Sequence, residues 1–122
     1  MRIFKNTWFS RFAKRQKITD AALVAAIEEA EKGLIAADLG GQIIKQRIAR
    51  PGQGKSGGYR TIIVFRQGER SFFVYGFPKS ERENIDKDEL AAFKKAAEQL
   101  LALDDEQIDA LLETNALTEI TQ

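Results

Sequence analysis

The stretch Ile43–Phe77, IIKQRIARPGQGKSGGYRTIIVFRQGERSFFVYGF, decides the fold. Ile43 to Ala49 alternates, so Ile44, Gln46 and Ile48 fall on one face of a strand while Lys45 and Arg47 fall on the other. A glycine-rich loop, Pro51 to Gly58, follows. Tyr59 to Arg66 then carries the unbroken apolar run Ile62-Ile63-Val64-Phe65, which suits a central strand covered on both faces. Gln67-Gly68-Glu69 makes a tight turn into a third strand, Ser71 to Phe77. Three successive strands with short connections imply an antiparallel meander.

Outward from this meander the pattern becomes helical. Met1 to Lys5 reads as an edge strand, and Asn6 or Thr7 can cap a helix with Trp8, Phe9 and Phe12 on its core side and Arg11, Lys14 and Arg15 on the other. A second helix starts near Thr19 or Asp20. Its buried stripe is Leu23, Ile27, Ala30 and Leu34, until Gly33 and Gly40-Gly41 interrupt it. On the C-terminal side, Asp86 with Glu89 and Asp104 with Gln107 form capping-box signatures ahead of the stripes Leu90, Phe93, Ala97, Leu100 and Ile108, Leu111, Leu112. The expected architecture is α+β: a small antiparallel sheet, three-strand meander plus N-terminal edge strand, with two N-terminal and two C-terminal helices.

A chain of 122 residues is enough for one domain with a real core. It contains neither Cys nor His. That removes disulfides, thiolate metal sites, the commonest general base and every Ser-His or Cys-His arrangement. The carboxylates at 86–89 and 104–106 are accounted for as helix caps, so neither a metal site nor paired-carboxylate catalysis is expected. The longest apolar run, Ala21 to Ile27, falls far short of the ~20 residues of a membrane span, and the start MRIFKNTWFSRF lacks the apolar core of a secretory signal. The expectation is a soluble, cytoplasmic domain with no cofactor.

The net charge of +1 conceals a sorting of charge. Residues 1–82 hold 16 Lys and Arg against 7 Asp and Glu, a net of +9, whereas residues 83–122 hold 3 against 11, a net of −8. Residues 41–82 alone carry nine cations against Glu69 and Glu81. Lys45 and Arg47 share a strand face, Arg50 stands at that strand's exit, Lys55 lies in the loop, and Arg60 opens the next strand. Tyr75 and Lys79 share parity, and Arg82 follows closely. Several cations and an aromatic on one sheet face are what phosphate neutralisation and base stacking require. The alternatives are a solvated surface and, for Arg66 and Arg70 beside the Gly68 turn, cations that merely blunt strand edges. The acidic C-terminal helices are expected on the sheet's other side, leaving the cationic face clear.

Gly54-Lys55-Ser56 matches the tail of a P-loop. That motif also needs a glycine five positions before Gly54, where this chain has Ala49, and a following helix, where this chain has a strand. Nucleoside triphosphate binding is therefore not expected. The loop glycines either admit an anion close to backbone N–H groups or serve the turn alone.

The segments Gly52-Gln53-Gly54-Lys55-Ser56-Gly57-Gly58-Tyr59-Arg60 and Tyr75-Gly76-Phe77-Pro78-Lys79-Ser80-Glu81-Arg82, with Gln42 to Arg47 ahead of them, resemble the RelE/ParE superfamily of toxins from type II toxin–antitoxin systems. The nearest branch is the RelE-like or HigB-like one. The resemblance covers residues 1–103, with 104–122 as an acidic helical extension of the same domain. It implies a RelE-like fold and a toxin that cuts mRNA in the ribosome without a metal. It also implies a cognate antitoxin, often a helix-turn-helix protein. Carried over, it makes Lys55, Arg60 and Tyr75 catalytic and Lys45, Arg47, Arg50, Lys79 and Arg82 RNA contacts. Because this chain has no His, the Glu–His scheme of some branches is excluded, leaving Lys, Arg and Tyr. The ParE branch inhibits DNA gyrase instead, and a plain RNA-binding module is a third reading.

Overall fold

The elements begin and end where the sequence supplies caps. In the computed structural model, which describes residues 1–50 and 54–121 (backbone only at 54–56), Asn6 closes strand β1 (Arg2–Asn6) and caps helix α1 (Thr7–Gln16). Its side-chain oxygen accepts the Phe9 amide at 2.7 Å. Thr19 caps α2 (Asp20–Glu31) in the same way, accepting from the Ala22 amide at 3.1 Å. That helix stops before the expected Leu34. Gly33 adopts φ +82°, which only glycine takes without strain, and Leu34 beyond it is 62% exposed instead of joining the buried stripe. Strands β2 (Ala37–Gly40), β3 (Ile43–Arg50), β4 (Gly54–Arg66) and β5 (Arg70–Pro78) follow. Helices α3 (Lys87–Leu101) and α4 (Asp105–Glu113) both start on fully formed capping boxes, and strand β6 (Leu117–Ile120) comes last.

The six strands lie in the order β2-β3-β4-β5-β1-β6. The β3-β4-β5 meander is antiparallel as expected, with Lys45 opposite Ile62 and Arg47 opposite Arg60. β1 departs from expectation: it is interior, running parallel to β5 (Phe4 opposite Phe72) and antiparallel to β6 (Asn6 opposite Leu117). Ile3 and Phe4 project to opposite faces and are both buried, which suits a strand enclosed on two sides. β2 and β6 were not anticipated, because four residues are too short to show a period and because 104–122 had been expected to be helical throughout.

The sheet carries helices on both faces. α1 and α2 bury Ile44, Ile48, Tyr59, Ile63 and Phe73 on one side. α3 and α4 bury Ile43, Ile62, Val64, Phe72 and Val74 on the other. Lys45 and Arg47 share the parity of Ile43. The acidic helices therefore pack on the same face as these cations, not on the opposite one. The apolar residues at the Ile43–Val64–Phe72 end of that face require a cover, and α3 and α4 supply it, leaving the Lys45–Arg47–Arg60 end outside that core.

Candidate nucleic-acid interface

The register of β3 on β4 builds the cationic end of the face. Arg47 stands directly opposite Arg60, and Lys45 is one pair further along, opposite Ile62. Arg60 is only 5% exposed, and its Nη1 donates to the Tyr59 carbonyl at 3.5 Å. Burial lowers the guanidinium pKa from its ordinary value, and repulsion from Arg47 adds to that. The Lys45 ammonium is likewise held below its usual value, first by burial and then by Arg60 and Arg47; its Nζ donates to Asn84 Oδ1 at 3.4 Å. A cluster that disfavours its own charge gains most from an arriving anion, because one phosphate relieves every like-charge repulsion in it.

Close approach of the backbone explains Gly58, ahead of Tyr59 and Arg60. A Cβ at Gly58 would sit 2.1 Å from the Ile48 carbonyl oxygen, beside the irregularity between Ile48 and Arg50 where β3 and β4 lose register. Any larger residue would push the strands apart where they place Arg47 against Arg60.

Tyr75 borders the cluster on β5, opposite Ile62. Its hydroxyl oxygen accepts from Arg82 Nη1 at 3.1 Å, and the Arg82 guanidinium lies 5.9 Å from the Tyr75 ring centre and 5.4 Å from that of Phe77. Arg82 is held in place by Glu89, the third residue of α3. The two form a bidentate pair, Nη1 to Oε2 at 3.1 Å and Nη2 to Oε1 at 2.5 Å. The Glu89 hydrogen bonds are the main reason that the Arg82 guanidinium titrates above its usual range, and the reciprocal bonds hold the Glu89 carboxyl below its own. Glu89 Oε1 also accepts the Asp86 amide at 3.0 Å, so the start of α3 and the orientation of Tyr75 share one carboxylate.

The sequence-derived residues are thus divided. Lys45, Arg47, Arg60, Tyr75 and Arg82 come together on one face. Arg50 goes to the other, its guanidinium 5.7 Å from the centre of the Tyr59 ring, which packs in the α1–α2 core. Lys79 is exposed in the turn after β5, its amide tied to the Gly58 carbonyl at 3.0 Å. Lys55 lies on β4, and its side chain is outside the described residues, as are Pro51, Gly52 and Gln53 of the loop. Arg66 and Arg70 are engaged elsewhere, Arg66 with Glu69 at 3.6 Å and Arg70 with Asp105 at 3.0 Å. Part of the acidic C-terminal charge is used in the same way: Glu119, Asp105 and Asp109 all surround Arg2.

Sequence reasoning missed three participants. Asn84 and Glu89 hold Lys45 and Arg82; of these, only Glu89 left a trace in the sequence, as a capping-box residue with no hint of its second partner. Trp8 had been expected in the core with Phe9 and Phe12, yet it is 40% exposed and lies against Tyr75. Its place one residue before Phe9, about 100° round the helix, is the signal that all three cannot face inward equally.

The fold and the cluster define a class: a small α+β domain with cations and an aromatic gathered at the end of a sheet face that lies outside the α3–α4 core. The family model of the RelE toxin of RelE/RelB toxin–antitoxin systems matches residues 1–120, and the chain belongs to that family. It is thus a toxin of a toxin–antitoxin system, with a cognate antitoxin as its partner. Comparison with curated proteins gives no match. Among the described residues no helix is long and apolar enough to cross a membrane, and no group of acidic side chains is placed to hold a metal ion.

Proposed function

We propose that this toxin is an endoribonuclease that cuts mRNA on the ribosome without a metal, within the RelE-like or HigB-like branch, and that its antitoxin is a helix-turn-helix protein. The observation that carries the reading is the register pair Arg47–Arg60, with Arg60 buried, flanked by Lys45 and bordered by Tyr75. RNA brings its own nucleophile. The 2′-oxygen gives up its proton and bonds to the adjacent phosphorus; the 5′-oxygen leaves and takes up a proton, so the products end in a 2′,3′-cyclic phosphate and a 5′-hydroxyl. The protein has only to align these atoms and stabilise the charge developing on the phosphate. Arg60 and Lys55 do the latter, and Tyr75 acts at the reacting atoms or against a neighbouring base. Lys45, Arg47 and Lys79 contact the strand, and Arg82 contacts it while holding the Tyr75 hydroxyl in position; Arg50, on the other face of the sheet, is not among these contacts.

The test is the mapping of mRNA ends on translating ribosomes. Wild-type protein is expected to give cuts in phase with codons, and Arg60→Ala to slow cutting by about 10²–10³-fold, the usual cost of removing one preorganised donor. Tyr75→Phe isolates the hydroxyl from the ring. Growth arrest with intact mRNA and DNA-damage signalling overturns the proposal in favour of gyrase inhibition. RNA binding without turnover reduces the protein to a binding module.

A further inference from the structure

Trp8 is the only tryptophan of the chain and stands where β5 loses its pairing with β1. The pairing of β1 with β5 ends at Lys5 opposite Phe73, so the continuation of β5 through Tyr75 is paired with β4 on one side and has no strand on its β1 side. The Trp8 ring is 4.6 Å from the Tyr75 ring and inclined 35° to it, and it stacks on Phe12 at 5.2 Å and 15°. These contacts fix the ring, and 40% of the residue is still open to solvent. Arg11 and Arg15 follow at i+3 and i+7, and so continue the same ridge of α1. Both are exposed, neither takes part in an ion pair among the described residues, and α1 contains no acidic residue.

A rigid, half-open aromatic ring next to unpaired guanidinium groups is the arrangement that binds single-stranded nucleic acid: the ring stacks a base and the cations take the flanking phosphates. A protein-docking patch would instead present a contiguous apolar area. Among the described residues the only other exposed large apolar side chain is Leu34, in the α2–β2 connection. We infer that Trp8 is a stacking platform for an unpaired RNA base, with Arg11 and Arg15 as its phosphate contacts, and that the strand passes from the Arg60 face across Tyr75 onto α1. This inference rests on the reading of the Arg60 face as RNA-binding and extends it by a second subsite.

Because Trp8 is the only indole, its fluorescence reports this subsite directly. The probe is a short single-stranded oligoribonucleotide carrying 2′-O-methyl groups throughout, which the protein can bind but not cut. Titration at low salt is expected to quench Trp8 to saturation. Trp8→Ala, followed with a dye on the oligonucleotide, is expected to bind about 10-fold more weakly, and Trp8→Phe to stay close to wild type. Arg15→Gln is expected to lower the slope of log K against log salt by about 0.7. Thermal unfolding of each variant identifies any that fail to fold, and Arg15→Gln alters an exposed side chain only. Binding with unchanged Trp8 emission and an unaffected Trp8→Ala overturns the platform while leaving cleavage at Arg60 intact. So does the absence of binding, or an emission change produced by the antitoxin but not by RNA. Loss of cut mRNA ends on ribosomes, by contrast, overturns the reading on which the platform rests.

Discussion

Replacing Gln46 with Met separates what holds the fold from what serves the RNA-facing end. Gln46 is 2% exposed, on the face of β3 opposite the cations. Its Nε2 donates to the carbonyls of Ala26 and Leu34, each at 3.0 Å, and its Oε1 accepts the Ala36 amide at 2.8 Å. One side chain thus fastens the middle of α2 and the connection from α2 to β2 onto the sheet. Met fills nearly the same volume and makes none of these bonds. At about 1 kcal/mol net per hydrogen bond, three bonds amount to about 3 kcal/mol. Leu34 and Ala36 are exposed, so water can replace part of that, leaving a loss of about 2 kcal/mol. Urea unfolding of Gln46→Met is therefore expected to show a lowered midpoint with an unchanged slope, and hydrogen exchange to show lost protection at the Ala36 amide. RNA cleavage below the unfolding transition is expected to stay within about twofold of wild type. A stability loss under about 0.5 kcal/mol would refute the assignment of Gln46 as the fastener. A large loss of cleavage in a folded variant would refute the separation of the two faces.

Two further expectations concern charge. The Glu89 carboxyl is held low chiefly by its hydrogen bonds from Arg82, and that of Glu119 by those from Arg2. The stability each adds is present above the ordinary carboxylate value of 4.5 and is lost as pH falls through the lowered one. Glu89→Gln keeps a side chain able to complete the capping box but gives up the charge, so an acid titration by circular dichroism is expected to show less acid-dependent loss than wild type; an unchanged titration counts against the pair. Lys45 has the opposite sign: its lowered pKa means that the folded state carries a penalty below that value, relieved as pH rises toward 10.5. Lys45→Met is expected to melt a few degrees higher than wild type at pH 7, with the difference closing in alkali, and to bind RNA more weakly. A variant less stable at pH 7 would show that Lys45 is a structural support.

Long periodic segments and caps were legible because their determinants are local. Asn6, Thr19, Asp86 and Asp104 cap the helices as read, and the β3-β4-β5 meander follows from alternation and the Gly68 turn. Strand alternation also sufficed to put Lys45 and Arg47 on one face and Gln46 on the other. Leu34 escaped its stripe because the left-handed Gly33 ends the helix before it, a local cue that the apolar spacing masked. β2 and β6 gave no periodic signal, and the interior position of β1 depends on Phe72 and Leu117, far away in sequence.

The site was legible by residue type and only partly by position. Arg60 and Arg47 are partners because two strands align in a register that Gly58 permits; Arg50, three residues beyond Arg47, has the parity of Ile44, Gln46 and Ile48 and lies on the opposite face. The segregation of +9 and −8 along the chain suggested that acid and base would lie apart in space. Folding brings Arg2 among Asp105, Asp109 and Glu119, Arg70 against Asp105, and Arg82 against Glu89. The sequence by itself determined which residues are cations and which strand faces they occupy, because a period of two is a property of the backbone. Only the tertiary structure decided which cations are neutralised and which gather at Arg60, because an ion pair depends on distance in space, and distance is set by how α3 and α4 close over the sheet and how β6 joins its edge.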